Sequence, residues 1–195
     1  MACIRFIGTF DTQSPRQRGK NVGRLLYDEN WSVPMASKSI SPVTPERLVG
    51  IGFRGWVAGY DYQDISCWEQ VWNAYAATLG PGPAKAVITD LASWVRAVRH
   101  TTCRRIETYP LGCAGFCRDE CIAISVIAAS QHNHCPALRA CAFALVGTSD
   151  IDAMLGEAAD FAGKLHAAGQ CLSQSMICNV ADIAADQAGR DGIKH

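Results

Sequence analysis

Charged side chains are scarce in this chain, and neither sign is in excess. Only 18 % of its residues are charged, and 18 Lys and Arg residues match 18 Asp and Glu residues. A balanced charge creates no overall field to attract nucleic acid or an anionic membrane, so we expect neither as a partner. Apolar residues make up 49 % of the 195 positions, which is enough for one sizeable buried core and disfavours a disordered chain.

Long apolar runs and a secretory leader are also missing from the sequence. No uninterrupted apolar stretch approaches the ~20 residues that a membrane-spanning helix needs. The start, MACIRFIGTFDTQ, has neither an extended apolar region nor a small-residue cleavage site. We therefore predict a cytoplasmic protein whose ten cysteines are thiols or metal ligands in a reducing environment.

Catalytic motifs with a firm mechanism are absent as well. The sequence contains no G-x-S-x-G nucleophile elbow, no P-loop and no H-E-x-x-H zinc motif. The glycines at 52, 55 and 59 lack the strand–G-x-G-x-x-G–helix context of a dinucleotide site, so we assign them no ligand. The segment 51–62, IGFRGWVAGYDY, is predicted to be a strand or tight turn, and the sequence assigns no reaction type.

Apolar periodicity predicts a mainly α fold, with about five helices in a bundle-like single domain. The first two helices flank Gly80-Pro81-Gly82-Pro83 and form an antiparallel hairpin, the first capped by Asp64 and the second running from about Ala84 to Arg99. In the helix capped by Asp64, the face predicted to be buried consists of Ile65, Trp68, Trp72, Tyr75 and Leu79. The tryptophans Trp68, Trp72 and Trp94 are interpreted as core residues, because they fall at helical spacing.

Three further helices are predicted towards the carboxyl end of the chain. One follows Asp119-Glu120 and is apolar on all sides, so we expect it to be buried. The next has Pro136 in its first turn and ends at Gly147. The last begins at an S-x-x-D pattern, Ser149 to Asp152, and ends at Gly169.

Composition divides the chain into three parts. Residues 1–50 are predicted to be an extended arm and loop, a mixed region with a short strand over Cys3 to Phe10. The basic residues of this arm lack interleaved aromatics and are interpreted as solvated rather than as a nucleic-acid site. Residues 51–180 form the predicted helical core domain, and residues 181–195 a polar tail.

Four cysteines lie close together in the sequence and form the candidate metal site. They are Cys103, Cys113, Cys117 and Cys121. Because Gly112 and Gly115 oppose a regular helix, we place the first two in a loop and the last two at the start of the buried helix. Four thiolates match a zinc site or an iron–sulfur cluster, and a row of thiols spaced by four residues suits Cu(I).

The electrostatic setting of these thiols is expected to favour the thiolate. A helix amino terminus and nearby cations lower thiol pKa values, and Arg104, Arg105 and Arg118 lie close in sequence. Cysteine is also a small buried residue type, so packing stays open as an explanation for the same spacing.

The remaining cysteines and histidines are interpreted separately. The isolated ones, predicted to be core residues, are Cys67, Cys141, Cys171 and Cys178. His132, His134 and Cys135 have the residue types of a second zinc or copper site. We favour the alternative that they end one helix and begin the next.

Two functional hypotheses follow. The first is a small cytoplasmic helical protein that binds a thiophilic metal or iron–sulfur cluster through the four cysteines, in redox sensing, metal handling or electron transfer. The second is a cofactor-free helical interaction module, an adaptor or regulator whose cysteines fill the core. A thiol enzyme is a weaker third hypothesis, and a protein partner is expected.

Overall fold

The computed structural model describes residues 43–179 and 181, which contain six α-helices and no β-strand. The helices are α1 Pro45–Tyr62, α2 Ile65–Leu79, α3 Pro81–Thr101, α4 Arg118–Gln131, α5 Cys135–Val146 and α6 Asp152–Ala167, and a 3₁₀ turn follows at Gln174–Met176. The predicted mainly α fold class is confirmed. The strand predicted at Cys3 to Phe10 lies outside the described residues.

Helix α4 occupies the centre of the core. Every residue from Ile122 to Ala129 is buried, and the helix packs against α1, α5 and α6. Helix α3 packs against α2 and α6, and its Trp94 is fully buried between Phe53 and Phe161, with ring centroids 5.5 and 5.6 Å apart. The core role predicted for Trp94 is confirmed. None of the described helices has the length and apolarity to cross a membrane.

Residues 51–62 belong to helix α1, so the strand or tight turn predicted for them is wrong. Thr44 caps it by accepting a hydrogen bond from the Arg47 N–H at 3.3 Å, and Pro45 occupies its first position. Three of its glycines, at positions 52, 55 and 59, face α2, and a methyl group at Gly55 would overlap Val71. Close packing against α2 therefore outweighs the low helix propensity of glycine.

The buried face of α2 agrees with the predicted one only in part, since Tyr75 is buried as predicted but other members of that face are not. Its fully buried residues are Cys67, Val71 and Tyr75, whereas Ile65 is 65 % and Trp72 38 % exposed. The core role predicted for Trp72 is therefore wrong. The face that turns inward packs against the glycines of α1: Tyr75 lies against Gly52, and Val71 lies against Gly55.

The predicted helix boundaries are mostly confirmed. Asp64 caps α2 by accepting from the Ser66 N–H at 2.9 Å, and α2 ends before Gly80. Helix α5 ends at Gly147, whose φ of 75° suits glycine. Helix α6 begins at Asp152, although the residue before it, Ile151, stands at the N-cap in place of Ser149.

Candidate functional site

A buried ion pair joins α1 to the amino-terminal turn of α4. Arg54 Nε and Nη2 donate to the two carboxylate oxygens of Glu120 at 2.6 and 2.9 Å, and both side chains are at most 2 % exposed. The hydrogen bond to Glu120 raises the pKa of the Arg54 guanidinium. The sequence signal for this pair was a lone arginine in an apolar, glycine-rich segment, and we did not identify it as a functional residue.

The same guanidinium fixes the main chain of the cysteine loop. Nη1 of Arg54 donates to the carbonyl oxygens of Pro110 and Cys113 at 3.3 and 2.9 Å, and Nη2 donates to that of Gly115 at 2.6 Å. Together with the two bonds to Glu120, these contacts engage all five N–H donors of an arginine side chain. The loop between α3 and α4 is therefore anchored to α1.

A second ion pair holds the beginning of this loop. Arg104 Nη1 and Nη2 donate to the two carboxylate oxygens of Asp119 at 2.8 Å each, and Nη2 also donates to the Ala144 carbonyl oxygen at 3.1 Å. Asp119 is 2 % exposed. The two adjacent acids in the first turn of α4 therefore each bind a different arginine.

Residues 105–109 form neither helix nor strand and are held against the start of α4. The main-chain N–H groups of Glu107 and Tyr109 donate to the carboxylates of the two α4 acids at 2.9 and 3.2 Å. Successive N–H groups of an extended chain point to opposite edges. Since Glu107 and Tyr109 both donate towards α4, we infer that the segment is extended and that the N–H groups of Ile106 and Thr108 point to the other edge. These two N–H groups make no hydrogen bond within the part of the chain that the structure describes. The segment has no partner strand among the described residues.

A surface groove of about 300 Å³ lies between this segment and the last turn of α1. Two exposed aromatics line it, Tyr62 at 76 % and Tyr109 at 45 % exposure, together with the apolar side chains of Ala58 and Ile106. Its charged lining residues are Asp61, Arg105 and Glu107. Cys117 also lines the groove, and its Sγ donates to the Glu107 carbonyl oxygen at 3.0 Å.

The four predicted metal ligands occupy separate surroundings. Cys103 and Cys113 are exposed loop residues, Cys117 is the N-cap of α4, and Cys121 lies in the first turn and a half of that helix. The predicted loop and helix-start positions are thus confirmed. Within residues 43–179 and 181, no three His, Cys, Asp or Glu side chains are grouped so that they could hold one metal ion. Metal binding by these cysteines stays a prediction.

The expected activation of the cysteines at the helix start is wrong. Burial raises the pKa of the Cys117 thiol and of the Cys121 thiol, where the sequence indicated a lowered value. The arginines that were expected to stabilise thiolates, Arg104 and Arg118, instead pair with the Asp119 carboxylate, at 2.8 and 3.9 Å.

The cysteines predicted to fill the core divide into three kinds. Cys67 and Cys141 are buried, as predicted. Cys171 is exposed, so its assignment to the core is wrong, because the chain has left the helices by that point. Cys178 is half-buried and packs against the edge of the core.

The histidines between α4 and α5 serve the helix ends. His132 stands at the carboxyl end of α4, and its Nε2 lies 2.8 Å from the Leu172 carbonyl oxygen. His134 stands at the N-cap of α5, and Cys135 is the first residue of that helix. These positions agree with the favoured interpretation, in which the residues end one helix and begin the next, although the His134 side chain makes no capping hydrogen bond.

No protein-family model, no curated protein and no solved structure matches this chain. The function is therefore argued from the groove, the loop and the thiols themselves.

Proposed function

We propose that the helical domain is a cytoplasmic protein-interaction module that binds an extended peptide along the outer edge of residues 105–109. The main support is the hydrogen bonding of that segment. One edge is fixed on α4, while the N–H groups of Ile106 and Thr108 on the other edge have no partner in the described part of the chain. Extended peptides commonly bind by adding main-chain hydrogen bonds to such an edge.

The aromatic side chains beside this edge supply apolar contact area. Tyr62 and Tyr109 are exposed on the two walls of the groove. Tyrosine is enriched in protein interfaces, because it combines a large apolar ring with a polar tip and few rotatable bonds. Of the charged lining residues, Asp61 pairs with Arg99, and Arg105 and Glu107 add one exposed charge of each sign, so we expect a peptide with apolar or aromatic side chains and no strong net charge.

The anchored loop reduces the entropic cost of binding. Arg54 holds three loop carbonyls and Glu120 holds the Tyr109 N–H, so the segment is ordered before a ligand arrives. A binding surface that is already ordered loses less conformational freedom on association.

The cysteines bear on both the proposed cytoplasmic location and the alternative hypothesis of metal binding. All nine described cysteines are free thiols, in keeping with a reducing cytoplasm. The metal-binding hypothesis has less support, since no described group of three donors could hold an ion.

The proposal is tested by selecting binders from a phage-displayed random-peptide library and measuring their affinity by titration calorimetry. Thr108→Pro removes an N–H without a partner in the described fold, and proline also favours an extended residue 107. We expect an unchanged melting temperature and roughly tenfold weaker binding, the equivalent of one lost hydrogen bond.

Phe143→Ala is the matched control, because Phe143 is 42 % exposed on α5 and does not line the groove. Tyr109→Ala should weaken binding and Phe143→Ala should leave it unchanged. The proposal would be contradicted if no peptide were selected. It would also be contradicted if the selected peptides bound the Thr108→Pro and Tyr109→Ala variants as tightly as the unmodified protein.

A further inference from the structure

Two cysteines meet at the buried hydroxyl of Ser125. The Cys178 N–H donates to Ser125 Oγ at 2.8 Å, and the same Oγ lies 3.2 Å from Cys141 Sγ. Both cysteines therefore contact the same side chain, which places them next to each other. Ser125 lies on α4 and Cys141 on α5, so the chain after the 3₁₀ turn brings Cys178 onto both helices.

The two thiols differ in access to solvent. Cys141 is fully buried, whereas Cys178 is half-buried and lines a surface groove of about 310 Å³. The other residues that line this groove are His134, Ala137, Gln174, Ile177 and Asn179. A small oxidant can therefore reach Cys178 from the groove, while Cys141 lies beneath it. The neighbouring Cys178 side chain, together with burial, raises the pKa of Cys141, so the inner thiol is not the one expected to react first with an oxidant.

From this arrangement we propose that Cys178 and Cys141 form a peroxide-responsive thiol pair, in which Cys178 is oxidised first and Cys141 closes a disulfide. The Cys178 sulfur attacks one oxygen of hydrogen peroxide, the O–O bond breaks, and the thiol proton leaves with the other oxygen as water. This step gives a sulfenic acid at Cys178. The Cys141 sulfur then attacks the Cys178 sulfur, an S–S bond forms, the S–O bond breaks, and a second water carries away the Cys141 proton. Two thiols are oxidised and one peroxide is reduced to two waters.

The disulfide would change how the end of the described chain is held. In the reduced protein, this segment is attached by hydrogen bonds: Leu172 N donates to Gln131 Oε1 at 2.8 Å, and Ser173 N donates to Glu46 Oε1 at 2.9 Å. A covalent link from Cys178 to α5 closes a loop in the unfolded chain and reduces its entropy, so the oxidised protein should melt at a higher temperature.

The first experiment uses the unmodified full chain. Reduced protein is treated with an equimolar amount of hydrogen peroxide, unfolded in the presence of iodoacetamide to block the remaining thiols, and digested for mass spectrometry without reduction. We expect Cys141–Cys178 to be the first disulfide formed. A first disulfide between any other pair, including Cys121–Cys178, or oxidation that spreads over the exposed thiols, would overturn the proposal.

Substitutions then separate the two roles, with dimedone present during oxidation to trap sulfenic acid. We expect Cys141→Ala to accumulate the dimedone adduct at Cys178, because the thiol that removes the sulfenic acid is gone. Cys171→Ala is the control: it replaces an exposed cysteine of the same segment and should still form the Cys141–Cys178 disulfide. A folded Cys141→Ala protein without adduct at Cys178 would overturn the assignment. If Cys141→Ala does not fold, the disulfide mapping on the unmodified chain tests the proposal by itself.

Discussion

At the scale of single residues, Arg54 organises the loop that contains the cysteine pattern. Its five hydrogen bonds join Glu120 to the carbonyl groups of Pro110, Cys113 and Gly115. A planar guanidinium suits this arrangement, because its donors are fixed in a fork that one carboxylate and several carbonyls can share. Arg54 therefore fixes the main-chain conformation of the loop that contains Cys113.

Removal of this arginine should be strongly destabilising. Arg54→Met leaves the Glu120 carboxylate buried without its cation, and breaking a buried pair in this way costs about 3–5 kcal/mol. The free energy of unfolding in urea measures the loss.

Arg139→Met is the matched control for that loss. Arg139 pairs with Asp152 at 3.1 Å, but the two side chains are 58 % and 82 % exposed, so the expected loss is at most about 1 kcal/mol. Equal small losses from both substitutions would mean that Arg54 does not anchor the loop.

At the scale of helices, α1 and α2 pack through glycine and small side chains. A methyl group at Gly55 would overlap Val71 Cγ2, and the Cys67 carbonyl oxygen would lie 3.3 Å away. Gly59 faces the indole of Trp68 in the same way. The spacing between the two helices is therefore set by the absence of side chains on α1.

This packing predicts opposite effects for one substitution at two helical glycines. Gly55→Ala should destabilise the protein by about 1–3 kcal/mol, because the added methyl forces α2 away. Gly163→Ala, in α6 with open space around it, should stabilise the protein by about 0.5–1 kcal/mol through helix propensity. Thermal unfolding of both variants measures the effects, and a stabilising Gly55→Ala would disprove the close packing.

The sequence predicted those elements whose signals are local. Caps and terminators such as Asp64 and Gly147 act within a few residues, and they located the helix ends well. Helix α1 was missed because its glycines lower local propensity, and the neighbour that compensates for them, α2, is known only from the tertiary structure. The inward face of α2 was misjudged for the same reason.

The site was less predictable than the fold, because its contacts join distant parts of the chain. The cysteine spacing is visible in the sequence, but Arg54 and Glu120 lie 66 residues apart, and Ser125 and Cys178 lie 53 apart. No periodicity links such pairs. The lone arginine within an apolar stretch was the one local signal of the buried ion pair.

At the scale of the whole molecule, α4 supports two separate features. Its first turn holds the extended segment through Asp119 and Glu120, and Ser125 near its middle holds Cys178. The proposed peptide-binding edge and the proposed thiol pair are thus both attached to α4, at different points along it.

The interaction proposal also predicts how the protein responds to metal removal. A structural metal site contributes its binding free energy to folding, so a chelator would lower the melting temperature of a metal-dependent fold. We expect protein purified without oxygen to melt at the same temperature before and after treatment with a strong chelator. A lower melting temperature after chelation, together with release of an ion, would favour the cysteine metal site.

Amide hydrogen exchange at residues 106–109 tests the central claim most directly, since it reports each main-chain N–H separately. In the free protein, Glu107 and Tyr109 should exchange slowly because they donate to the α4 carboxylates, and Ile106 and Thr108 should exchange faster. With a selected peptide at saturation, we expect Ile106 and Thr108 to become protected while the other two stay as they are. Unchanged exchange at Ile106 and Thr108 in the saturated complex would contradict binding along this edge.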